Sequence, residues 1–204
     1  MLESVRRVLS RLFGQKDHVA GGVLGAAGLY GDDADADACA GIRNGKDSEM
    51  DLVGAKRIDI ISDTHGRISE RLRAELDGAD LIVHAGDITS ESDFAELETI
   101  APVRAVLGNN DWYYNYGPEV KQRLVFTYEG LRFGVSHYRE ELPQGSIDVA
   151  VCGHTHRPVI LPMGNMTLVN PGSPTYPRTA QGPTMARLYA RDGEVLSLEI
   201  IPLQ

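Results

Sequence analysis

From Lys56 onward, apolar residues fall into short runs rich in Val, Ile, Leu and Phe, parted by Gly, Asn and Asp. This pattern predicts strands more often than helices. The runs are Arg57 to Ser62, Leu81 to Ala85, Val103 to Leu107, Arg123 to Tyr128, Leu131 to Ser136 and Val149 to Cys152. Between the first three, Leu72 and Leu76, then Phe94, Leu97 and Ile100, recur at helical spacing. Helices are therefore expected over 69–77 and 91–100, the second capped by Ser90. Later, Glu129-Gly130, Met163-Gly164-Asn165 and Asp192-Gly193 each separate two strand-like runs and read as hairpin turns. The expectation is an α/β fold whose sheet opens with parallel crossovers and finishes with antiparallel ribbons.

Residues 1 to 55 break the pattern, with Gly and Ala clusters and the acidic stretch Asp32-Asp33-Ala34-Asp35-Ala36-Asp37. They read as a disordered extension, or as sequence ahead of a true start at Met50, leaving 56–204 as one domain. Leu2, Val5, Val8, Leu9, Leu12 and Phe13 lie at helical spacing and read as a marginal solvated helix in preference to a membrane-surface or partner-binding one.

Composition narrows the function. A formal charge of −9 disfavours a broad grip on nucleic acid, which needs a basic face. Cys39 and Cys152 lie far apart in unlike contexts, so no disulfide is expected. That usage fits a reducing, cytoplasmic setting. The apolar stretch 21–31 is broken by Gly and makes a poor export signal, and no run is long enough to span a bilayer.

The chemistry lies where the strands end. Asp63-Thr64-His65-Gly66 follows the first strand, Gly86-Asp87 the second and Gly108-Asn109-Asn110-Asp111 the third; His137 and Gly153-His154-Thr155-His156 follow two later ones. Strand carboxyl ends gather into the ligand crevice of open α/β sheets, so these groups should converge. Imidazole with carboxylate suits Mn, Fe, Zn, Ni or Co better than Ca or Mg. In extended chain, Asp63 and His65, or His154 and His156, would point into one pocket.

In that order, D-x-H, G-D, G-N-x-D, H and G-H-x-H resemble the motif set of the calcineurin-like metallophosphoesterases, over a stretch running from about Arg57 to the C-terminus. Asn170-Pro171-Gly172-Ser173, followed by Pro177-Arg178, is similar to a segment of the smaller YfcE-type phosphodiesterases. The resemblance implies a four-layer α/β/β/α sandwich. It also implies two divalent metal ions, manganese first and Fe, Zn, Ni or Co as alternatives. Asp63, His65 and His156 would hold one ion, and Asn109, His137 and His154 the other, with Asp87 bridging. Asp87, Asn109 and His65 stand nearest the chemistry, in which a metal-bridging hydroxide attacks a small phosphodiester or activated phosphate ester. Beyond that substrate, no nucleic-acid partner and no membrane span are expected, and self-association is left open.

Two positions depart from the family. Asn110 replaces the histidine that many members carry as leaving-group acid, a task an amide cannot perform, which leaves Asp111 without its usual role. Tyr138 stands where glycine is commoner and is expected to line the pocket. His84 and Cys152 read as packed core residues, His18 as solvated, and the N-P-G-S loop as a tight turn, with Ser173 and Arg178 as weaker phosphate contacts. Two rivals remain. One is a non-catalytic scaffold on the same fold, similar to the retromer subunit; the other is a nuclease, which the acidic balance opposes.

Overall fold

The computed structural model describes residues 42–43 and 52–204. Most of the 1 to 55 segment therefore lies outside the described residues. Within it, Ile42–Arg43 forms β1, which adds antiparallel to the outer edge of the last strand of the domain.

The first half alternates as the sequence predicts. β2 (Lys56–Ile61), α1 (Glu70–Leu76), β3 (Leu81–His84), α2 (Glu91–Ile100) and β4 (Val103–Ala105) follow in order, with the three strands parallel. Both helices start on a serine. Ser69 Oγ accepts from the backbone of Leu72 and Ser90 Oγ from that of Asp93, each at 3.1 Å, satisfying donors that a helix start otherwise leaves free.

The second half combines antiparallel hairpins with further parallel pairs, where antiparallel ribbons alone were expected. β5 (Arg123–Tyr128), β6 (Leu131–Ser136), β7 (Val149–Val151), β8 (Val159–Met163) and β9 (Met166–Asn170) make one sheet in the order β5-β6-β7-β9-β8. β10 (Thr184–Arg191) and β11 (Glu194–Pro202) return to the other, ordered β1-β11-β10-β2-β3-β4. Glu129-Gly130 and Asp192-Gly193 take positive φ at both central positions, as tight two-residue hairpins require.

Strand alternation sets the layers. In β2, Ile58 and Ile60 face the second sheet and pack with Phe133, Val135, Val149, Val151 and Val169; Ile61 faces the helices and packs with Leu72, Leu76 and Leu97. The outer face of the second sheet, with Ala150, Cys152 and Leu168, is covered by Leu142 and Ile147 beside a 3₁₀ turn at Arg139–Glu141. The fold is thus an α/β sandwich of two mixed sheets whose fourth layer is thin. Cys152 belongs to this packing, and burial pushes its thiol up to about 12. Among the described residues no helix is long and apolar enough to cross a membrane.

One charge in this packing is fully enclosed. Asp59, between Ile58 and Ile60, points toward α1 and is held by Arg57 Nη2 at 2.6 Å and Arg187 Nε at 2.8 Å. Arg187 Nη2 also donates to the carbonyl of Glu75 at 2.6 Å, so the ion cluster closes the last turn of α1.

Candidate metal centre

Five loops meet at the carboxyl ends of β2, β3, β6 and β7 and beyond β4. Their backbones are laced together before any side chain acts. Asp63 N–H donates to Gly86 O, His65 N–H to Asp87 O and Gly66 N–H to Ile88 O, while Gly153 N–H donates to His137 O. A Cβ on Gly108 would overlap the backbone N and Oδ1 of Asp87, and one on Gly153 would overlap Ser62 Oγ. Glycine therefore stands at those two positions because loop meets loop with no room for a side chain.

The local conformation differs from the extended chain expected for D-x-H and H-x-H. Asp63, His65, Asp87, His154 and His156 have φ of 55°, 48°, 56°, 66° and 58°. Non-glycine residues rarely occupy this left-handed region, and a cluster of them marks backbone held in place by its surroundings. The turn sends Asp63 and His65 to one side and puts Thr64 between them, where its Oγ1 meets His84 Nε2 at 3.0 Å. His84 is fully buried, and its Nδ1 accepts from the backbone of Gly86 at 3.2 Å. It supports the loops, as the sequence reading expected of a packed residue.

Acceptor atoms then converge. His156 Nδ1–H donates to Tyr176 O at 2.6 Å, which leaves its Nε2 facing Asp63 Oδ1 at 3.1 Å and His65 Nε2 at 3.4 Å. His137 Nδ1–H donates to Ala85 O at 2.8 Å, and its Nε2 faces Asn109 Oδ1 at 3.1 Å and Asp87 Oδ2 at 3.6 Å. Asp87 Oδ2 also lies 3.8 Å from His65 Nε2, placing it between the two groups. Asp63 Oδ1 is buried and has no hydrogen-bond donor aligned on it. Backbone carbonyls thus hold both rings by Nδ1 and turn each Nε2 toward carboxylate and amide oxygens, a set of atoms suited to a cation.

Asp63, His65 and His156 form one such group, and Asp63, Asp87 and His137 another. His154 stands a little apart. Its backbone N–H donates to Asp63 Oδ2 at 3.1 Å, and its ring packs against those of His137 and Tyr138.

Charge at the centre follows from burial and neighbours. Burial lowers the pKa of His65 and of His154, each only partly offset by Asp63 and Asp87, so both favour the neutral form that offers a lone pair. Burial also pulls His156 down, but the Asp63 carboxylate outweighs it and the ring is raised. For Asp63 itself, burial opposes ionisation while His156 and His137 favour it, and its pKa is lowered. The anionic carboxylate beside it thus favours positive charge at His156 Nε2.

Several contributors were not legible as such. Asp111, buried, accepts from the backbone N–H of Asp87, Thr89 and Gly108 at 2.8 Å each, from Ile88 at 3.3 Å, and from the Tyr116 hydroxyl at 2.9 Å. It organises two of the five loops and needs no histidine at 110 to explain it. Asn110 donates its side-chain amide to Asp87 Oδ2 at 2.6 Å and its backbone N–H to Oδ1 at 2.8 Å. Ser173, read as part of a tight turn and more weakly as a phosphate contact, is fully buried and donates to the carbonyl of Asp63 at 2.8 Å. Its segment is a brace: Asn170 Nδ2 donates to Gly153 O and Thr175 Oγ1 to Thr64 O, each at 2.8 Å. Tyr176, exposed, sets its ring edge-on to His65 at 5.3 Å between centroids.

Residues 57–193 match the calcineurin-like phosphoesterase superfamily domain. A probable metallophosphoesterase of Methanothermobacter thermautotrophicus is 42% identical over 161 residues, covering 71% of this chain and 91% of that one. The fold is also similar to that of YfcE, a phosphoesterase from E. coli (TM-score 0.54, 23% identity, 72% of this chain and 100% of that one). Vacuolar Protein Sorting 29 of Cryptosporidium parvum is similar as well (TM-score 0.57, 19% identity, 72% and 98%).

Proposed function

As this chain belongs to the calcineurin-like phosphoesterase superfamily, we propose that it is a phosphodiesterase that hydrolyses small phosphodiesters or activated phosphate esters at two divalent cations. Asp63, His65 and His156 hold one ion, Asn109, His137 and His154 the other, and Asp87 lies between them. The observation that carries this reading is the convergence of Asp63 Oδ1, Asp87 Oδ2, Asn109 Oδ1 and the Nε2 atoms of His65, His137 and His156. Manganese is the first choice of ion; Fe, Zn, Ni and Co suit the same donors.

When bound, such a pair supplies Lewis acidity that activates a water and clamps the phosphate. The protein's own work is to orient the donors. Ala85 and Tyr176 carbonyls fix the rings of His137 and His156, and Asn110 holds Asp87 by both carboxylate oxygens. Asp63 and Asp87 lower the net charge that two dications would bring, leaving a centre suited to an anionic ester without a basic surface.

The scaffold reading has the sandwich in its favour, since a sorting protein has a similar fold. The full donor set favours catalysis. The test is metal analysis of the purified protein together with hydrolysis of a panel of mono- and diesters, with and without chelator. Metal-dependent turnover is expected, abolished by Asp87→Ala, with a larger loss of bound metal than His84→Ala causes. Equal metal retention in the two variants removes Asp87 from between the ions, and no turnover with any metal leaves the scaffold.

A further inference from the structure

We infer that Tyr138 is a positioning residue for the Asn109 side of the centre, holding the Asn109 amide with its oxygen toward His137 and walling the imidazole of His154. This rests on the two-cation reading above, and it concerns a side chain that reading leaves unused.

The amide of Asn109 is the one ligand of the set with two nearly equal faces. Turned one way it presents a carbonyl oxygen to a cation; turned through half a circle it presents an NH₂ group, which repels one. His137 Nε2, 3.1 Å from Asn109 Oδ1, offers no donor to select the oxygen, because its ring proton sits on Nδ1 against Ala85 O. The Tyr138 hydroxyl supplies a donor, bonded to the same Oδ1 at 3.1 Å in the orientation the structure holds, and so anchors the amide there. A carbonyl oxygen has two lone pairs, so a hydroxyl on one leaves the other free to face the cation.

The tyrosine is itself held. Its carbonyl accepts from Ser136 Oγ at 2.7 Å and from Glu141 N–H at 3.1 Å, which pins the residue between the end of β6 and the 3₁₀ turn. From there its ring crosses over the site. It lies 5.3 Å from the His137 ring at 74° and 4.4 Å from the His154 ring at 56°, while the His137 and His154 rings meet at 5.2 Å and 72°. Three rings thus pack in mutual contact, two of them touching the Asn109 amide. His154 lies outside the two tight donor groups and depends most on this packing to direct its nitrogen.

Removing an outer partner of a metal ligand commonly costs ten- to a hundredfold in metal affinity. The experiment is a calorimetric titration of Mn²⁺ into the full chain, freed of metal with chelator, for wild type, Tyr138→Phe and Tyr138→Ala. Wild type should take up two ions. Tyr138→Phe keeps the ring and loses the hydroxyl, and should weaken one of the two by about tenfold while leaving the other unchanged; Tyr138→Ala should weaken that same ion further.

Wild-type affinity for both ions in Tyr138→Phe overturns the inference and leaves the proposed function standing. A wild-type protein that binds no Mn²⁺ overturns both. A double-mutant cycle guards against a general loosening. In an Asn109→Ala background, Tyr138→Phe should cost nothing more, and a full, additive loss would show that the hydroxyl acts elsewhere.

Discussion

Replacing Asp111 by Asn alters a single atom and keeps the shape of the side chain. One carboxylate oxygen takes three backbone N–H groups, from Asp87, Ile88 and Gly108, and the other takes Thr89 N–H and the Tyr116 hydroxyl. An amide satisfies one side only. Its oxygen would turn to the three donors, leaving NH₂ against Thr89 N–H; the Tyr116 hydroxyl can rotate to accept, but the backbone donor cannot. A stranded buried donor costs about 1 to 3 kcal/mol, and a bond to a charged oxygen exceeds a neutral one by about 1 kcal/mol. Allowing for relaxation of the loops, the substitution should destabilise by about 3 kcal/mol. With a urea slope near 2 kcal/mol/M, the midpoint should fall by roughly 1.5 M. Tyr116→Phe removes one donor and keeps its ring 5.2 Å from Phe94, so it should cost only about 1 kcal/mol. Urea titrations followed by far-UV circular dichroism, run with chelator, separate the two. An Asp111→Asn midpoint within about 0.3 M of wild type would refute this account of Asp111.

Asp59→Ala should destabilise by about 3 to 5 kcal/mol, because Arg57 and Arg187 would lose the buried carboxylate they share and Glu75 would remain on Arg187 alone, and a change below about 1 kcal/mol in the same titration would contradict this. His84 gives a pH signature. Burial lowers its pKa from 6.5 to about 4, so the unfolded chain takes the proton first. Stability is then full above pH 6.5 and falls as pH drops through the window to 4, by on the order of 3 kcal/mol. His84→Gln should flatten that fall, and an unchanged slope would count against it. Asn110 cannot donate a proton, so cleavage should depend steeply on leaving-group pKa, with aryl esters far faster than matched alkyl esters. Asn110→His should improve the poor leaving groups most, as single-turnover assays over an ester series would report; a wild-type rate indifferent to leaving group would place the acid elsewhere.

What could be read from the chain was whatever local chemistry decides. Ile58 and Ile60 against Asp59 and Ile61 announce a strand with two different faces, Ser90 announces a helix start, and Glu129-Gly130 and Asp192-Gly193 announce hairpins. The convergence of the candidate residues was legible because each follows a strand and so belongs to the same end of a sheet. What was illegible depends on contacts distant in sequence. Asp111 reads as an idle partner of an absent histidine until the N–H groups of residues 87 to 89 turn toward it. Ser173 reads as part of a tight turn and, more weakly, as a phosphate contact, until its hydroxyl is found on the carbonyl of Asp63. The left-handed turns at Asp63 and His65 were missed because nothing local demands them: the lacing to Gly86, Asp87 and Ile88 does.

The candidate ligands divide between the sheets, Asp63, His65, Asp87 and Asn109 following strands of one and His137, His154 and His156 following strands of the other. An ion bound among them is therefore a rivet through a seam. Apolar packing and a few hydrogen bonds, such as His137 Nδ1–H to Ala85 O and His154 N–H to Asp63 Oδ2, already join the sheets there, and an ion present at a hundred times its dissociation constant that binds only the folded chain adds about 2.7 kcal/mol to stability. Heat tolerance in this protein should accordingly track the metal available to it, so that a cell short of the ion would lose the fold's endurance as well as its chemistry.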